Sequence, residues 1–204
     1  MCFLRLQYID VSFGVNRRVN NIMGYFYKLF LTMVAISLVV AVFLIQQKVN
    51  IIKNFYPDSD LYVPDFVCYF LYFTICALFA KLTILLTRFL SVDKITQGSI
   101  KELEVANDSF LPSYLGYFFV ALSINDVEVF LWVFSIILIF IFFSRAAYFN
   151  PLYFIFGYKF YYVVTTQDVK NLIITKKQLK TPKDVQFEKI RRINDFTYID
   201  VGER

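Results

Sequence analysis

The feature that most constrains this chain is a series of long apolar segments. A helix needs about 20 consecutive apolar residues to cross a hydrocarbon core of about 30 Å. Four segments approach that length, and they predict membrane spans at about residues 28–46, 64–87, 109–125 and 128–149. Hydrophobic residues make up 58% of the 204 residues, well above the usual share in a soluble domain. We therefore expect an all-α membrane domain over residues 23–149, built as a four-helix transmembrane bundle.

The third apolar segment is the shortest of the four. Residues 110–124 would rise only about 22 Å as a helix. Pro112 lies in its first turn, where proline is tolerated. Because little more than Asn125 and Asp126 separates this segment from the fourth, we expect the two to form a tight antiparallel hairpin. A re-entrant third helix is the alternative.

The distribution of Lys and Arg predicts the orientation of such a bundle. With four crossings, 19 of the 21 basic residues fall on one side, and only Lys48 and Lys53 fall on the other. Basic residues concentrate on the cytoplasmic side of a membrane. Both termini are therefore expected in the cytoplasm. Asp126 and Glu128 would then form an acidic turn at the outer surface.

Residues 1–22 form an N-terminal extension that precedes the first predicted span. They lack the order of charged, apolar and small residues that marks a secretory signal. The true start of translation could instead be Met23, or the extension could form a short amphipathic helix on the inner surface. The sequence leaves both alternatives open.

The chain carries few of the side chains that support catalysis or metal binding. It contains no His, which removes His-dependent nucleophilic catalysis and His-based metal sites. Its three Cys residues, at positions 2, 68 and 76, suggest neither a disulfide framework nor a zinc site. We expect no catalytic residues, no cofactor and no metal ion, and we do not expect an enzyme.

The second apolar segment carries one stripe of small or weakly polar side chains. At 100° per residue the stripe occupies an arc about 80° wide on a helix. Small and hydroxyl side chains allow helices to approach closely in lipid. We interpret the stripe as a helix-packing seam, with a seam between subunits as the functional alternative. Its members are Tyr69, Tyr72, Cys76, Ala80, Thr83 and Thr87.

Residues outside the apolar segments predict a short helix and a small β-rich region. The second loop contains Ser99 and Glu102 at capping-box spacing, which predicts a short surface helix. After the fourth segment, residues 150–204 are expected to form a β-rich cytoplasmic tail. Aromatic and β-branched residues predict strands at 158–165, 172–175 and 196–201, the first two joined as a hairpin.

The tail also carries a basic stretch between the predicted strands. Such a stretch can be a solvated face near anionic lipid or a docking surface for a cytoplasmic partner. It lacks a recognisable nucleic-acid-binding module, and we expect no direct nucleic acid binding. The candidate docking residues are Lys176, Lys177, Lys180, Lys183, Lys189, Arg191 and Arg192.

Several of these features together resemble the KwaA family, the membrane subunit of the bacterial Kiwa anti-phage defence system. The resemblance covers residues 24–201. It rests on the layout of the segments and on short sequence stretches. These are FLPSYLGY at residues 110–117, the Asn150-Pro151 pair, and the Gly157-Tyr158 pair that leads into the β-rich region.

The resemblance implies a multi-pass protein of the bacterial inner membrane that assembles as a homo-oligomer, with a tetramer suspected. It implies a sensor and scaffold that recruits or regulates KwaB, a cytoplasmic effector that acts on DNA. Two other functions remain open from the residues alone. One is a small oligomeric channel lined by the segment-two stripe, and the other is an immunity protein against a bacteriocin.

Overall fold

The computed structural model describes residues 26–55, 64–108, 111–144 and 148–202. Helices dominate the first two thirds of this part of the chain, and strands dominate the last third. The helices are α1 (Phe26–Gln46), α2 (Ile51–Phe55), α3 (Asp65–Leu86), α4 (Leu111–Ser123), α5 (Val127–Phe143) and α6 (Leu152–Ile155). The strands are β1 (Val92–Ile95), β2 (Ile100–Val105), β3 (Lys159–Thr165), β4 (Lys170–Thr175), β5 (Phe187–Asn194) and β6 (Thr197–Ile199).

Two of the described helices are long and apolar enough to cross a membrane. They are Phe26–Gln46, which is α1, and Asp65–Phe89, which is α3 with the 3₁₀ turn that continues it. Length and composition alone define this property, and a buried core helix of a soluble protein can share it. The other apolar helices, α4 and α5, have 13 and 17 residues.

The predicted all-α four-helix transmembrane bundle is therefore wrong as a fold class. The chain combines helices with a six-stranded mixed sheet, and only two described helices reach the length of a span. The fourth apolar segment shows why hydropathy predicted too many membrane spans. Its helix ends at Phe143, and its last residues, Tyr148 and Phe149, are buried beneath the sheet. An apolar run records burial, but it does not distinguish lipid from a protein core.

The α4–α5 hairpin lies alongside α1. The Tyr114 hydroxyl donates to the Ala35 carbonyl at 3.0 Å, halfway along α1. At the end of α1, the Gln46 side-chain amide donates to Asn125 Oδ1 at 2.7 Å, in the turn between α4 and α5. Nearby, the rings of Phe43 and Phe130 stack with centroids 3.7 Å apart. These contacts fix the hairpin to α1 at both the middle and the end of the helix.

The six strands form one sheet in the order β1-β5-β6-β4-β3-β2. Every neighbouring pair is antiparallel except β4 and β6, which run parallel. The predicted hairpin is present as β3 and β4, and the third predicted strand is present as β6. The sheet also contains β1 and β2, which come from the second loop. These two strands precede β3 by more than 50 residues in the chain.

The sheet must curl until its two edges approach each other. In a flat sheet of six strands, the edges β1 and β2 would lie about 24 Å apart, since neighbouring strands are about 4.8 Å apart. Only residues 96–99 connect these two strands, and that linker can span at most about 18 Å. Gly98, with φ of +80°, lies in this linker. The result is a partly closed barrel.

The strand connectivity can be described by treating β1 and β2 as two halves of one bent strand. The order then matches that of OB-type barrels, which are five-stranded, partly open Greek-key barrels. This likeness concerns connectivity alone and carries no function by itself.

The barrel has an inner core and an outer apolar face. All six strands contribute side chains to the inner core, among them Ile95, Leu103, Tyr161, Ile173, Ile190 and Tyr198. Alternate residues of the same strands face outward, and Phe160, Leu172 and Ile199 pack against α6 and the end of α3. The helical part and the barrel therefore share one continuous core.

The surface helix predicted in the second loop is wrong. Ser99 and Glu102 lie on either side of the start of β2, where Ile100 pairs with Thr165. The stretch from Ile100 to Val105 contains charged residues between apolar ones, and Ile100 and Leu103 face the inner core. Capping-box spacing is a local signal, and pairing with β3 overrides it.

Candidate functional site

The candidate docking residues lie on and beside one connection of the barrel. We call residues 176–186, which join β4 to β5, the basic loop. Its four lysines, at positions 176, 177, 180 and 183, are exposed, and so is Lys189 on β5. Leu179 and Val185, from the same loop, are buried in the inner core of the barrel. The loop therefore covers one mouth of the barrel with its apolar residues and points its lysines outward.

The basic loop is held in a defined conformation. The Leu179 backbone N–H donates to the Tyr161 hydroxyl at 3.2 Å, which ties the loop to the barrel interior. Thr181 and Asp184 form a capping box around the 3₁₀ turn Pro182–Asp184. Backbone N–H groups of Thr181 and Lys180 donate to the Asp184 carboxylate, and these bonds lower the pKa of that carboxyl. The single acidic residue of the basic loop therefore stabilises the loop conformation.

Two of the lysines also rest on aromatic rings. Lys176 Nζ lies 5.0 Å from the centroid of Tyr158, and Lys177 Nζ lies 4.7 Å from that of Phe187. An ammonium group over a ring face is attracted by the ring quadrupole. Burial and the nearby Asp200 raise the pKa of Tyr158 to about 12, so this phenol stays neutral beneath Lys176 at physiological pH.

The two arginines of the predicted docking set make contacts within the chain. Arg191 Nη1 donates to the Leu90 carbonyl at 3.1 Å, which joins β5 to the residue that follows α3 and its 3₁₀ turn. Arg192 pairs with Asp195 and lies 3.9 Å from Asp93. Both arginine residues are half-buried, in contrast to the exposed lysines. The geometry therefore assigns the arginines to the structure of the barrel.

The side chains of the segment-two stripe are buried or half-buried within the protein. Tyr72, Cys76, Ala80 and Thr83 are buried on α3, Thr87 is buried in the following 3₁₀ turn, and Tyr69 is half-buried. Most of these residues share one core with Leu31 and Val34 of α1. A lumen lined by this stripe would require those side chains to face away from α1, so the structure does not favour the channel alternative.

The predicted acidic turn serves the start of α5. Asp126 is the N-cap, and its carboxylate accepts from the Val129 N–H at 2.9 Å. Glu128 lies in the first turn, where a negative charge interacts favourably with the helix dipole. Both side chains are exposed, so their charges remain at the surface.

A buried hydrogen-bond network joins the two long helices to α6. Tyr27 of α1 donates to the Thr83 carbonyl of α3 at 3.1 Å. The Thr83 hydroxyl lies 2.8 Å from the Tyr153 hydroxyl of α6. We call these three residues the Thr83 joint. Sequence reasoning found Thr83 through its stripe, but it missed Tyr27 and Tyr153, because no local pattern links positions so far apart.

No group of three or more His, Cys, Asp or Glu side chains within the described ranges could hold a metal ion. Cys68 and Cys76 are buried free thiols, and Cys68 Sγ donates to Asn50 Oδ1 at 3.2 Å.

Comparison with known protein families gives one match. The family described as anti-phage protein KwaA matches residues 27–199, from the first turn of α1 to the end of β6. The chain belongs to the KwaA family of anti-phage proteins. The predicted resemblance is therefore confirmed, and the role of this family in defence against phages applies to the chain. Neither the curated proteins nor the solved structures give a significant match.

The family match covers both the apolar helices and the barrel. The basic loop, the Thr83 joint and the acidic turn of Asp126 and Glu128 all lie within it. Residues 1–22 lie outside it and outside the described residues, so the prediction about the start of translation is not addressed by either.

Proposed function

We propose that this chain is a membrane-embedded sensor and scaffold that recruits a cytoplasmic, DNA-acting effector of a two-component anti-phage system. The observation that carries the proposal is the basic loop. It presents exposed lysines from a barrel that shares a core with two span-length helices, in a chain of an anti-phage family. The proposed role is not enzymatic. It includes self-association into a homo-oligomer, as the family resemblance implies.

The exposed apolar side chains support a membrane location. Phe70 on α3 is 72% exposed, and Phe140 and Phe143 on α5 are 71% and 79% exposed. Large exposed apolar side chains of this kind mark sites of contact with a membrane or with another protein. Lipid contact would remove these rings from water. We propose that α1 and Asp65–Phe89 cross the inner membrane of a bacterium and that the α4–α5 hairpin packs beside α1.

The basic residues support an orientation with the barrel in the cytoplasm. Two crossings leave Lys48 and Lys53 on the outer side, with the other 19 basic residues of the chain inside. Both termini are then cytoplasmic. Arg88, in the 3₁₀ turn after α3, lies where the span meets the barrel.

The chemistry of the basic loop favours a partner with an acidic surface. Its lysines are exposed. The two arginines, in contrast, form hydrogen bonds and ion pairs within the barrel. Charge complementarity speeds encounter and excludes partners of like charge. Because the loop is fixed through Leu179 and Asp184, little conformational entropy is lost when a partner binds.

Charge reversal in the loop tests this proposal. The variant carries Lys176→Glu, Lys177→Glu, Lys180→Glu and Lys183→Glu, and it leaves the strands in place. Deleting the whole C-terminal region would be less informative, because β1 and β2 would lose their pairing partners. We expect the variant to insert into the membrane but to lose co-purification of the effector encoded with it, and with that its protection against phage.

The control reverses charge elsewhere on the barrel, with Lys94→Glu and Lys101→Glu on β1 and β2. Both lysines are exposed. This control is matched in charge to a two-residue loop variant, Lys180→Glu with Lys183→Glu, which is tested beside the four-residue variant. The control should retain the effector. Equal retention by the loop variant, at matched expression, would rule out the basic loop as the docking surface.

A further inference from the structure

The Thr83 joint lies where the two span-length helices meet the barrel. Tyr27 is in the first turn of α1, Thr83 is in the last turn of α3, and Tyr153 is in α6, next to β3. Thr83 is fully buried, as is Tyr153, and Tyr27 is nearly so. In an apolar interior, a hydroxyl without a partner carries a desolvation cost that a hydrogen bond removes. Tyr27 therefore depends on the backbone carbonyl of Thr83 for its hydrogen bond, and Tyr153 depends on the Thr83 hydroxyl.

The number of hydroxyl protons determines which group donates in each hydrogen bond of the joint. A hydroxyl has one proton, and the Thr83 hydroxyl donates its own to the Ala80 carbonyl at 2.6 Å. The Tyr153 hydroxyl must therefore be the donor in its 2.8 Å contact with Thr83 Oγ1. Tyr27 donates to the backbone carbonyl of the same residue. Thr83 accepts from both α1 and α6.

The backbone of α3 changes at the joint. The N–H of Thr87 bonds to the Ile84 carbonyl, three residues back, instead of to the Thr83 carbonyl, four residues back. This tighter pairing begins the 3₁₀ turn Thr87–Phe89, after which only Leu90 and Ser91 precede β1. The Tyr27 hydroxyl thus bonds the Thr83 carbonyl at the point where the helix tightens.

The far side of the joint continues into the barrel. The Tyr153 ring stacks on Phe160 of β3, with centroids 6.3 Å apart and an angle of 10° between the rings. Tyr158, two residues before Phe160, donates its backbone N–H to the Tyr153 carbonyl at 3.1 Å. Lys176 of the basic loop rests on the Tyr158 ring. A connected path therefore runs from α1 through Thr83 and Tyr153 to the loop.

We infer that the Thr83 joint couples relative movement of α1 and α3 to the position of the barrel and its basic loop. A shift of α1 along α3 removes the Tyr27 hydroxyl from the Thr83 carbonyl, and a rotation of α3 withdraws Oγ1 from Tyr153. The first movement alters the 3₁₀ turn that leads into β1. The second alters the position of α6 against β3. The signalling role of this coupling rests on the proposed function, while the coupling itself does not.

Thr83→Val tests the joint, because valine keeps the shape of the side chain and removes the hydroxyl, which accepts from Tyr153 and donates to the Ala80 carbonyl. The control is Thr74→Val on the same helix, where the hydroxyl bonds to the Phe70 carbonyl of its own helix. Hydrogen exchange is measured on the full chain in lipid nanodiscs without effector. We expect amides of residues 152–160 to exchange about tenfold faster in Thr83→Val than in the wild type, and unchanged exchange in Thr74→Val.

Tyr153→Phe provides a second, milder variant, because Thr83 keeps its bond to Ala80. We expect the same segment to exchange about threefold faster. The double variant Thr83→Val with Tyr153→Phe should exchange more slowly than Thr83→Val alone, since phenylalanine removes the hydroxyl that has lost its Thr83 acceptor. If Thr83→Val fails to accumulate in the membrane, the comparison of Tyr153→Phe with the wild type decides the question.

Two further measurements separate this inference from the proposed function. Effector co-purification reports on docking, and phage protection reports on signalling. We expect Thr83→Val to retain the effector and to lose protection. Exchange in residues 152–160 that matches the Thr74→Val control would overturn the coupling, whether or not the effector binds. Faster exchange with full protection would overturn its signalling role.

Discussion

Gly157 shows how a single residue positions the barrel beneath the helices. It follows α6 in the left-handed region, with φ of +78°. The Gly157 N–H bonds to the Phe154 carbonyl at 2.9 Å, and the Tyr158 N–H bonds to the Tyr153 carbonyl at 3.1 Å. This pair of bonds is the Schellman motif, which ends a helix and reverses the chain direction. The turn brings Tyr158 and β3 back under α6.

Gly157→Ala should therefore destabilise the protein by about 1 kcal/mol, because an L side chain disfavours positive φ. A Cβ at this position would meet no atom within 4 Å, so the cost is conformational and not steric. Gly116→Ala is the matched control, since Gly116 lies in α4 and its Cβ position is equally open. Alanine there should stabilise the helix by about 0.5–1 kcal/mol. Thermal unfolding in detergent measures both, and equal shifts of the same sign would contradict this account.

At the scale of single residues, the sequence identified some residues of the candidate site and missed others. The exposed lysines of the basic loop could be found from composition, since charged side chains seldom enter a core. The roles of Arg191 and Arg192 could not, because Leu90 and Asp93 come close to them only when β1 pairs with β5. Tyr153 reaches Thr83 across 70 residues of chain.

At the scale of elements, the sheet was only half predictable. The strands β3, β4 and β6 carry runs of aromatic and β-branched residues, and these were recognised. The strands β1, β2 and β5 carry charged residues within short stretches, so their sequences are also compatible with loops or surface helices. β5 also has an irregular register beside both of its neighbours, which breaks the simple alternation of buried and exposed residues.

A cross-strand disulfide tests the assignment of β2. Glu102 and Val164 are directly paired across β2 and β3. With cysteine at both positions, we expect an intramolecular disulfide under mild oxidation. The control places cysteines at Glu102 and Lys170, which is one strand further away, about 9–10 Å from β2 and beyond disulfide reach. Bridging in the control pair, or none in the first pair, would contradict the strand register. Single-cysteine variants account for the native thiols.

At the scale of the whole molecule, an uninterrupted core connects apolar helices to a partly closed barrel. Tyr27, Leu31, Tyr72 and Ala80 of the helices share that core with Phe160, Leu172 and Ile199 of the strands. A rigid connection of this kind supports the proposal of a scaffold that passes a change in the membrane to a surface in the cytoplasm. A flexible linker between the two parts would transmit much less.

Trp132 offers a direct test of the membrane location. It is the only tryptophan of the chain and is 69% exposed on α5. In brominated-lipid vesicles we expect strong quenching of its fluorescence, with a blue-shifted emission and little effect of the aqueous quencher acrylamide. Trp132→Phe should abolish the signal. Emission typical of water, together with efficient acrylamide quenching, would refute burial of the exposed α5 face in lipid.

The sequence by itself determined that this chain has apolar helices, a basic surface near its C-terminus and no His chemistry, because those properties depend on composition and local periodicity. It also carried enough pattern to indicate the family. Only the tertiary structure decided where the apolar segments end, that the second loop supplies two strands, and that Thr83 joins α1 to α6. These outcomes depend on pairing between residues far apart in the chain. Burial against a sheet and burial in lipid select the same apolar residues, so hydropathy alone could not separate them.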